Sequence, residues 1–157
     1  MSEERALAAL DEAAVSYRVV RHGPVRSLAE AATARGVEPA AVVKTLVVRR
    51  GDDDFLFVLV PGDRTISWPK LRALLGISRL SMPDAAAARE ATGYERGTIT
   101  PFGSTGRWPV IADERLVGQE VTLGAGAHDV AVALAADDAI AALDARVADV
   151  TDPELVG

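Results

Sequence analysis

Apolar and polar residues alternate along this chain with two different periods, and the changes of period divide it into elements. Residues 3–13 (EERALAALDEA) place leucine and alanine at helical spacing, with Ser2 as N-cap and Glu3 and Glu4 in the first turn, where the helix dipole favours carboxylates. Residues 16–21 (SYRVVR) predict a short strand that stops at His22-Gly23-Pro24. Ser27 is placed to cap a second helix, LAEAATARG, which Gly36 terminates, and Pro39 opens one more turn. Strand 42–50 and the continuous apolar run FLFVLV at 55–60 then flank Gly51 and Asp52 to Asp54, predicting a hairpin.

Beyond Pro61-Gly62-Asp63, Ser67 caps the helix WPKLRALLG, with Pro69 inside its first turn. A short strand near 78–80 and an alanine-rich helix from Pro83-Asp84 to about residue 91 come next. The glycine- and proline-rich stretch TGYERGTITPFGSTGRWP has neither period, and such long irregular segments in compact domains are usually functional or mobile. PVIAD and EVTLG read as strands around a turn at Glu114 to Gly118. GAGAH is a second glycine loop, DVAVAL a strand, ADDAIAAL a capped helix and RVADV a last strand. Residues 1–157 are expected to form one α/β domain, with a mixed sheet, interspersed helices, no repeat and no linker.

Composition narrows the function classes. Without cysteine there are no disulfides, thiolate nucleophiles or Cys-ligated metals. The N-terminal MSEERALAAL lacks the apolar core of a signal peptide, and no apolar run approaches the length of a membrane span, so a cytoplasmic protein is expected. The net charge of −6 is uneven: residues 1–80 carry twelve basic and ten acidic residues, residues 81–157 five and thirteen. An acidic chain is a poor general nucleic-acid binder, so any such contact should be local and come from the first half. Arg18, Arg21, Arg26, Arg49, Arg50 and Arg72 are the candidates, each also readable as part of a solvated face.

Catalytic groups are scarce. His22 and His128 lie far apart with no metal-ligand spacing, and there is no nucleophile elbow and no P-loop, so neither metal nor cofactor is expected. GAGAHD lacks the third glycine of a dinucleotide fingerprint, and a strand follows it. What remains is a lysine in an unusual place. Of seventeen basic residues only Lys44 and Lys70 are lysine, and strand alternation puts Lys44 on one face with Val42, Leu46 and Val48. Edge strands use lysine against aggregation, but a plain solvent face would not carry those apolar neighbours. The loop GTITPFG at 97–103 reads either as a surface turn or as backbone N–H groups able to approach a ligand closely.

The strand VVKTLVV, the strand and turn FVLVPGD, the helix KLRALLG, the stretch TGYERGTITPFG and the ending AGAHDVAVALAADDAIAALDARVADV resemble, in order, the YbaK/prolyl-tRNA editing family. Its members include free-standing relatives of the editing domain inserted in bacterial prolyl-tRNA synthetases. The resemblance spans roughly residues 15–150. It implies a mixed, partly barrel-like sheet surrounded by helices, and hydrolysis of the ester of mischarged tRNA, with Cys- or Ala-tRNA(Pro) as candidate substrates and prolyl-tRNA synthetase as a candidate partner. It further implies that Lys44 contacts the 3′-terminal nucleotide or the aminoacyl group, and that Gly97 to Pro101 supplies backbone groups around the ester.

Substrate contacts carried over in the same way are His22, Thr45, Thr98, Ile99, Phe102, Gly103, Gly124 and Gly126. Tyr94 and Phe102 read as pocket walls or as packing, Trp68 and Trp108 as packing. Some cysteine-specific members carry an acidic residue in the strand after the second glycine loop, where this chain has Ala131 with Asp129 two positions earlier. The contrasting expectation is a non-catalytic module that keeps the fold and docks on tRNA or a synthetase.

Overall fold

The computed structural model describes residues 2–154; Met1 and residues 155–157 of the expected 1–157 domain lie outside the described set. Helix α1 (Ser2–Glu12) precedes β1 (Tyr17–Arg21) and α2 (Leu28–Arg35). The hairpin β2 (Val43–Gly51) and β3 (Asp54–Pro61) follows, then β4 (Arg64–Ile66), α3 (Trp68–Leu75) and α4 (Ala85–Thr92). The second half contains β5 (Val110–Asp113), β6 (Glu120–Gly124), β7 (Val130–Ala135), α5 (Ala136–Ala142), β8 (Arg146–Ala148) and β9 (Thr151–Pro153).

The strands form three sheets in the orders β1-β7-β6, β2-β3-β5-β8 and β4-β9. The pairs β3/β5 and β5/β8 are parallel and the rest antiparallel, so the sheet is mixed as expected. Among the described residues the first two sheets meet at a single parallel bridge, Val42 to Thr122, and diverge beyond it without closing a barrel. That divergence creates the candidate site.

Strand β3 explains the two-sided core. Its alternating residues Phe55, Phe57 and Leu59 pack with β6, β7 and the helices α1, α4 and α5. Leu56, Val58 and Val60 pack on the other face with Leu71 of α3, Ile111 and Val150. A strand buried on both faces reads as an unbroken apolar run, and each side chain taken from water contributes roughly 1.5–3 kcal/mol. On β2 the same alternation sends Val43 and Val47 into the first core and Val48 into the second.

Local chemistry fixes the helix ends. Ser27, Ser67 and Asp84 accept hydrogen bonds from the backbone N–H groups of Glu30, Lys70 and Ala87. Gly36, Gly76 and Gly93 close the same three helices in the left-handed conformation.

Three expectations are corrected. Residues 78–80 form no strand; Ser81 makes one isolated bridge with Arg49 instead. No side chain caps α5, because Ala135 occupies its N-cap and Asp137 instead accepts from the Gly118 N–H. The run RVADV is strand only as far as Ala148, and the chain then turns into β9, which pairs with β4.

Candidate active site

Beyond the Val42–Thr122 bridge, β2 presents an open edge, and the chain covers it with three segments. They are α2 with the residues just before it, residues 82–85 at the start of α4, and the loop around Gly97. Together they enclose a cavity of about 760 Å³ lined by residues 42–47 along its floor. This size lies within the range of small-ligand sites.

The two glycine-rich loops are fastened to each other. The Thr98 N–H and hydroxyl both bond the Glu95 carbonyl (3.0 and 2.7 Å), and the Thr98 carbonyl accepts from the Gly126 N–H at 3.0 Å. At Gly124 an added Cβ would stand 3.3 Å from the Ile99 carbonyl oxygen, so only glycine lets the loop pack this closely against the end of β6. Gly97 has φ of +90°, a conformation that disfavours any side chain.

Of the residues expected at the site, Lys44, Thr45, Gly97, Ile99 and Gly124 line this cavity together. The Lys44 ammonium donates to the backbone carbonyl of Arg64 on β4, and among the described residues no carboxylate pairs with it. An ammonium has three donors, so two remain. The Thr45 hydroxyl is buried without a hydrogen-bond partner.

The other expected residues lie elsewhere. Thr98 and Gly126 face a smaller recess of about 380 Å³ on another side of the loops, with Glu95 and His128. Phe102 is buried in the main core, where its carbonyl accepts from the Tyr94 hydroxyl at 2.7 Å. Gly103 packs against the Arg5 backbone and accepts from the Arg5 side chain. Pro101 is half-buried and His22, whose Nδ1 meets the Gly23 carbonyl at 2.8 Å, closes the β1 end; neither lines the cavity.

The charge around the cavity was less legible. Arg26, Arg35, Lys44 and Arg96 line it against the single carboxylate of Asp84, in a chain whose net charge is −6. Of the arginines proposed from sequence only Arg26 is there. Arg21, Arg49 and Arg50 are held in ion pairs with Glu3, Asp52 and Asp54. Arg35 and Arg96 gave no distinguishing signal, one being a last-turn helix residue and the other a loop residue.

A second groove of about 780 Å³ beside Gly36, Pro61 and Arg64 has a mixed lining, with Glu38, Asp63 and Glu120 facing Arg64 and Arg115, and none of the expected residues lines it. The cation-rich cavity is the better candidate because its charge is unbalanced and its walls are built from close-packed glycine loops.

With one ammonium, one unpartnered hydroxyl and no histidine in its lining, the cavity can bind and orient an anion or polarise a carbonyl oxygen. It has no side-chain triad for nucleophilic attack. Among the described residues no cluster of His, Asp and Glu could hold a metal ion, and no helix is long and apolar enough to cross a membrane.

The sequence profile of the aminoacyl-tRNA editing domain matches residues 22–142, and the chain belongs to that family. It is 36% identical over 94 residues to the proline–tRNA ligase of Thermosipho africanus, covering 60% of this chain and 17% of that one. Against the proline–tRNA ligase of Heliobacterium modesticaldum it is 34% identical over 122 residues, covering 74% and 21%. The chain thus spans about a fifth or less of these ligases. A crystal structure provisionally assigned as a trans-editing enzyme for prolyl-tRNA synthetase superposes with a TM-score of 0.88 at 29% identity, covering 96% of this chain and 97% of the other.

Proposed function

We propose that this protein is an aminoacyl-tRNA deacylase acting in trans on mischarged tRNA, with Cys- or Ala-tRNA(Pro) as its substrates. The observation that carries the reading is the cation-rich cavity in which Lys44 lies beside Gly97 and Gly124. Family membership supports the reaction class, and the full-length match to a provisional trans-editing enzyme supports action outside a synthetase chain. Residues 1–157 then act as one editing unit in the cytoplasm, with prolyl-tRNA synthetase as a candidate partner that delivers the acceptor stem.

The chemistry suits the groups present. An aminoacyl ester is already activated, so positioning supplies much of the barrier reduction and no side-chain nucleophile is required. The spare donors of Lys44, with backbone N–H groups of the Gly97–Pro101 loop, stabilise the oxyanion, each donor contributing roughly 3–4 kcal/mol in acyl transfer. The attacking group is a water oriented by the loop and the substrate 2′-OH, or the substrate thiol when the amino acid is cysteine. Lysine fits better than arginine because a compact point charge suits a small pocket. The scheme needs no metal or cofactor.

The test is a panel of tRNA(Pro) charged with Cys, Ala, Ser or Pro. The wild type should release Cys or Ala much faster than Pro, and Lys44→Ala should lower kcat by about 10²–10³ with an unchanged fold. Absence of turnover on every ester, or equal turnover after Lys44→Ala, would instead support a module that binds tRNA without catalysis.

A further inference from the structure

Arg35 ends α2, immediately before the left-handed Gly36, where a basic side chain ordinarily reaches into solvent over the last carbonyls. Here it turns inward. Its NH1 donates to the Thr122 hydroxyl on β6 at 3.1 Å, and Thr122 is only 1% exposed. Its Nε is buried with no acceptor, and among the described residues no carboxylate pairs with the guanidinium. Burial pulls its pKa below the ordinary arginine value, with no neighbouring charge to offset the shift.

A half-buried, unpaired cation still carries a desolvation cost, and an apolar side chain of similar volume would pack there without it. The chain does not lack counterions, since it holds 23 acidic residues against 17 basic ones. What the guanidinium lacks is an anion, and it lines the same cavity as Lys44, with Arg26 on the lining as well.

We propose that Arg35 binds the phosphate joining the last two nucleotides of an RNA 3′ end, anchoring the terminal nucleoside so that its ester lies against Lys44 and Gly97. The planar guanidinium fork matches a phosphate bidentately, where a lysine would offer only a point charge. A cavity of about 760 Å³ exceeds what an aminoacyl group fills and leaves room for the nucleoside and its 5′ phosphate. The inference rests on the editing reading for the identity of the RNA, and its test separates the two.

The full chain is compared with Arg35→Leu, Arg35→Lys and, as a control for the latch to β6, Thr122→Val. Arg35→Leu should raise KM for charged tRNA about tenfold while kcat stays within about threefold, the loss of one charge-assisted contact. Binding of uncharged tRNA should lose salt dependence, the slope of log K against log salt falling by roughly 0.7 to 1. The Tm of Arg35→Leu should equal or exceed that of the wild type, because a half-buried, unpaired charge is removed. Arg35→Lys should recover part of the affinity and the salt slope.

Unchanged KM and slope in Arg35→Leu would overturn the proposal. So would parallel losses of Tm and activity in Arg35→Leu and Thr122→Val, which would make Arg35 a packing latch. Inorganic phosphate is the remaining probe. If it alone saturates an Arg35-dependent site while a CCA-ended RNA does not compete, the site serves free phosphate and the proposal fails. A wild type that binds tRNA with an Arg35-dependent salt slope yet hydrolyses no ester would retain this inference and lose the editing reading. Turnover insensitive to Arg35→Leu would do the reverse.

Discussion

Two groups of cations occupy this acidic chain, and they are handled in opposite ways. Around Asp113 every charge is matched. The carboxylate is fully buried and accepts from the Thr151 hydroxyl (2.8 Å), the Val150 N–H (3.3 Å) and the Arg115 backbone N–H (3.1 Å). Arg115 also meets Asp149 at 2.8 Å, and Lys70 bridges Asp149 and Asp152 at 3.1 and 3.2 Å. Around the cavity, Lys44 and Arg35 are half-buried, and among the described residues no carboxylate pairs with either one. Matched charges fasten β5, β9 and the end of β8 into one body; unmatched charges leave binding capacity unused. Arg64 belongs to both groups, since its side chain bonds Thr151 while its carbonyl holds the Lys44 ammonium.

The comparison makes opposite demands on variants. Changes in the matched group should lower stability and spare turnover, whereas changes in the cavity should lower turnover or affinity and spare stability. Asp113→Ala is the largest break on the stability side. It strands a buried hydroxyl and a buried N–H and frees one side of Arg115, costing about 3 kcal/mol. For a chain of this length that lowers Tm by on the order of 10 °C, read by calorimetry or circular dichroism. Deacylation measured well below that Tm should stay within a few-fold of wild type. If it instead falls as far as in Lys44→Ala, the Asp113 group positions the lysine through Arg64, and the two regions are one device.

How much of this was legible in the sequence follows from the range of each signal. The β2–β3 hairpin and the three capped, glycine-terminated helices are written in neighbouring residues, and the structure places them within a residue or two of expectation. Strands β4 and β9 have three residues each and pair Arg64 with Pro153, too short for a period and too far apart to suggest one another. The acidic start of α5 looked like a cap, but Asp137 ties the helix to Gly118 of the preceding turn, a tertiary bond. At the site Lys44 stood out as a lysine on an apolar strand face. Arg35 did not, because a basic residue in a last helical turn is ordinary until its side chain is seen to turn inward. Asp113 was hidden for the same reason, since an aspartate ending the strand PVIAD gives no sign of its burial.

A gentler break lies on the cavity side. Gly124→Ala requires the Ile99 carbonyl, 3.3 Å from the new Cβ, to retreat by a few tenths of an ångström. Gly124 does not need a left-handed conformation, so the backbone itself accepts alanine. The loop carrying Gly97 should shift while the cores remain intact. Turnover should fall roughly tenfold, since small misplacements of positioning groups are costly, and Tm should move by no more than about 2 °C. A Tm loss approaching that of Asp113→Ala, with turnover preserved, would make Gly124 a packing residue and erase the contrast.

The smallest effect belongs to the exposed margin of the matched group and is best seen as a function of pH. Arg115, and after it Lys70, hold the Asp149 carboxylate below its ordinary pKa of 3.8. A carboxylate whose pKa is depressed on folding stabilises the fold above its unfolded pKa, and that contribution is lost as the pH falls through the lower folded value. Asp149→Asn should therefore lower Tm slightly at neutral pH, and the curves for variant and wild type should converge once the solution is acid enough to protonate the wild-type carboxylate. Added salt should shrink the neutral-pH difference, because the pair is open to solvent and screened. Deacylation should not respond at either pH beyond the titration of the substrate itself. A difference in Tm that persists in acid would mean that Asp149 acts through hydrogen-bond geometry instead of charge, and the matched group would then be fastened by shape as much as by charge.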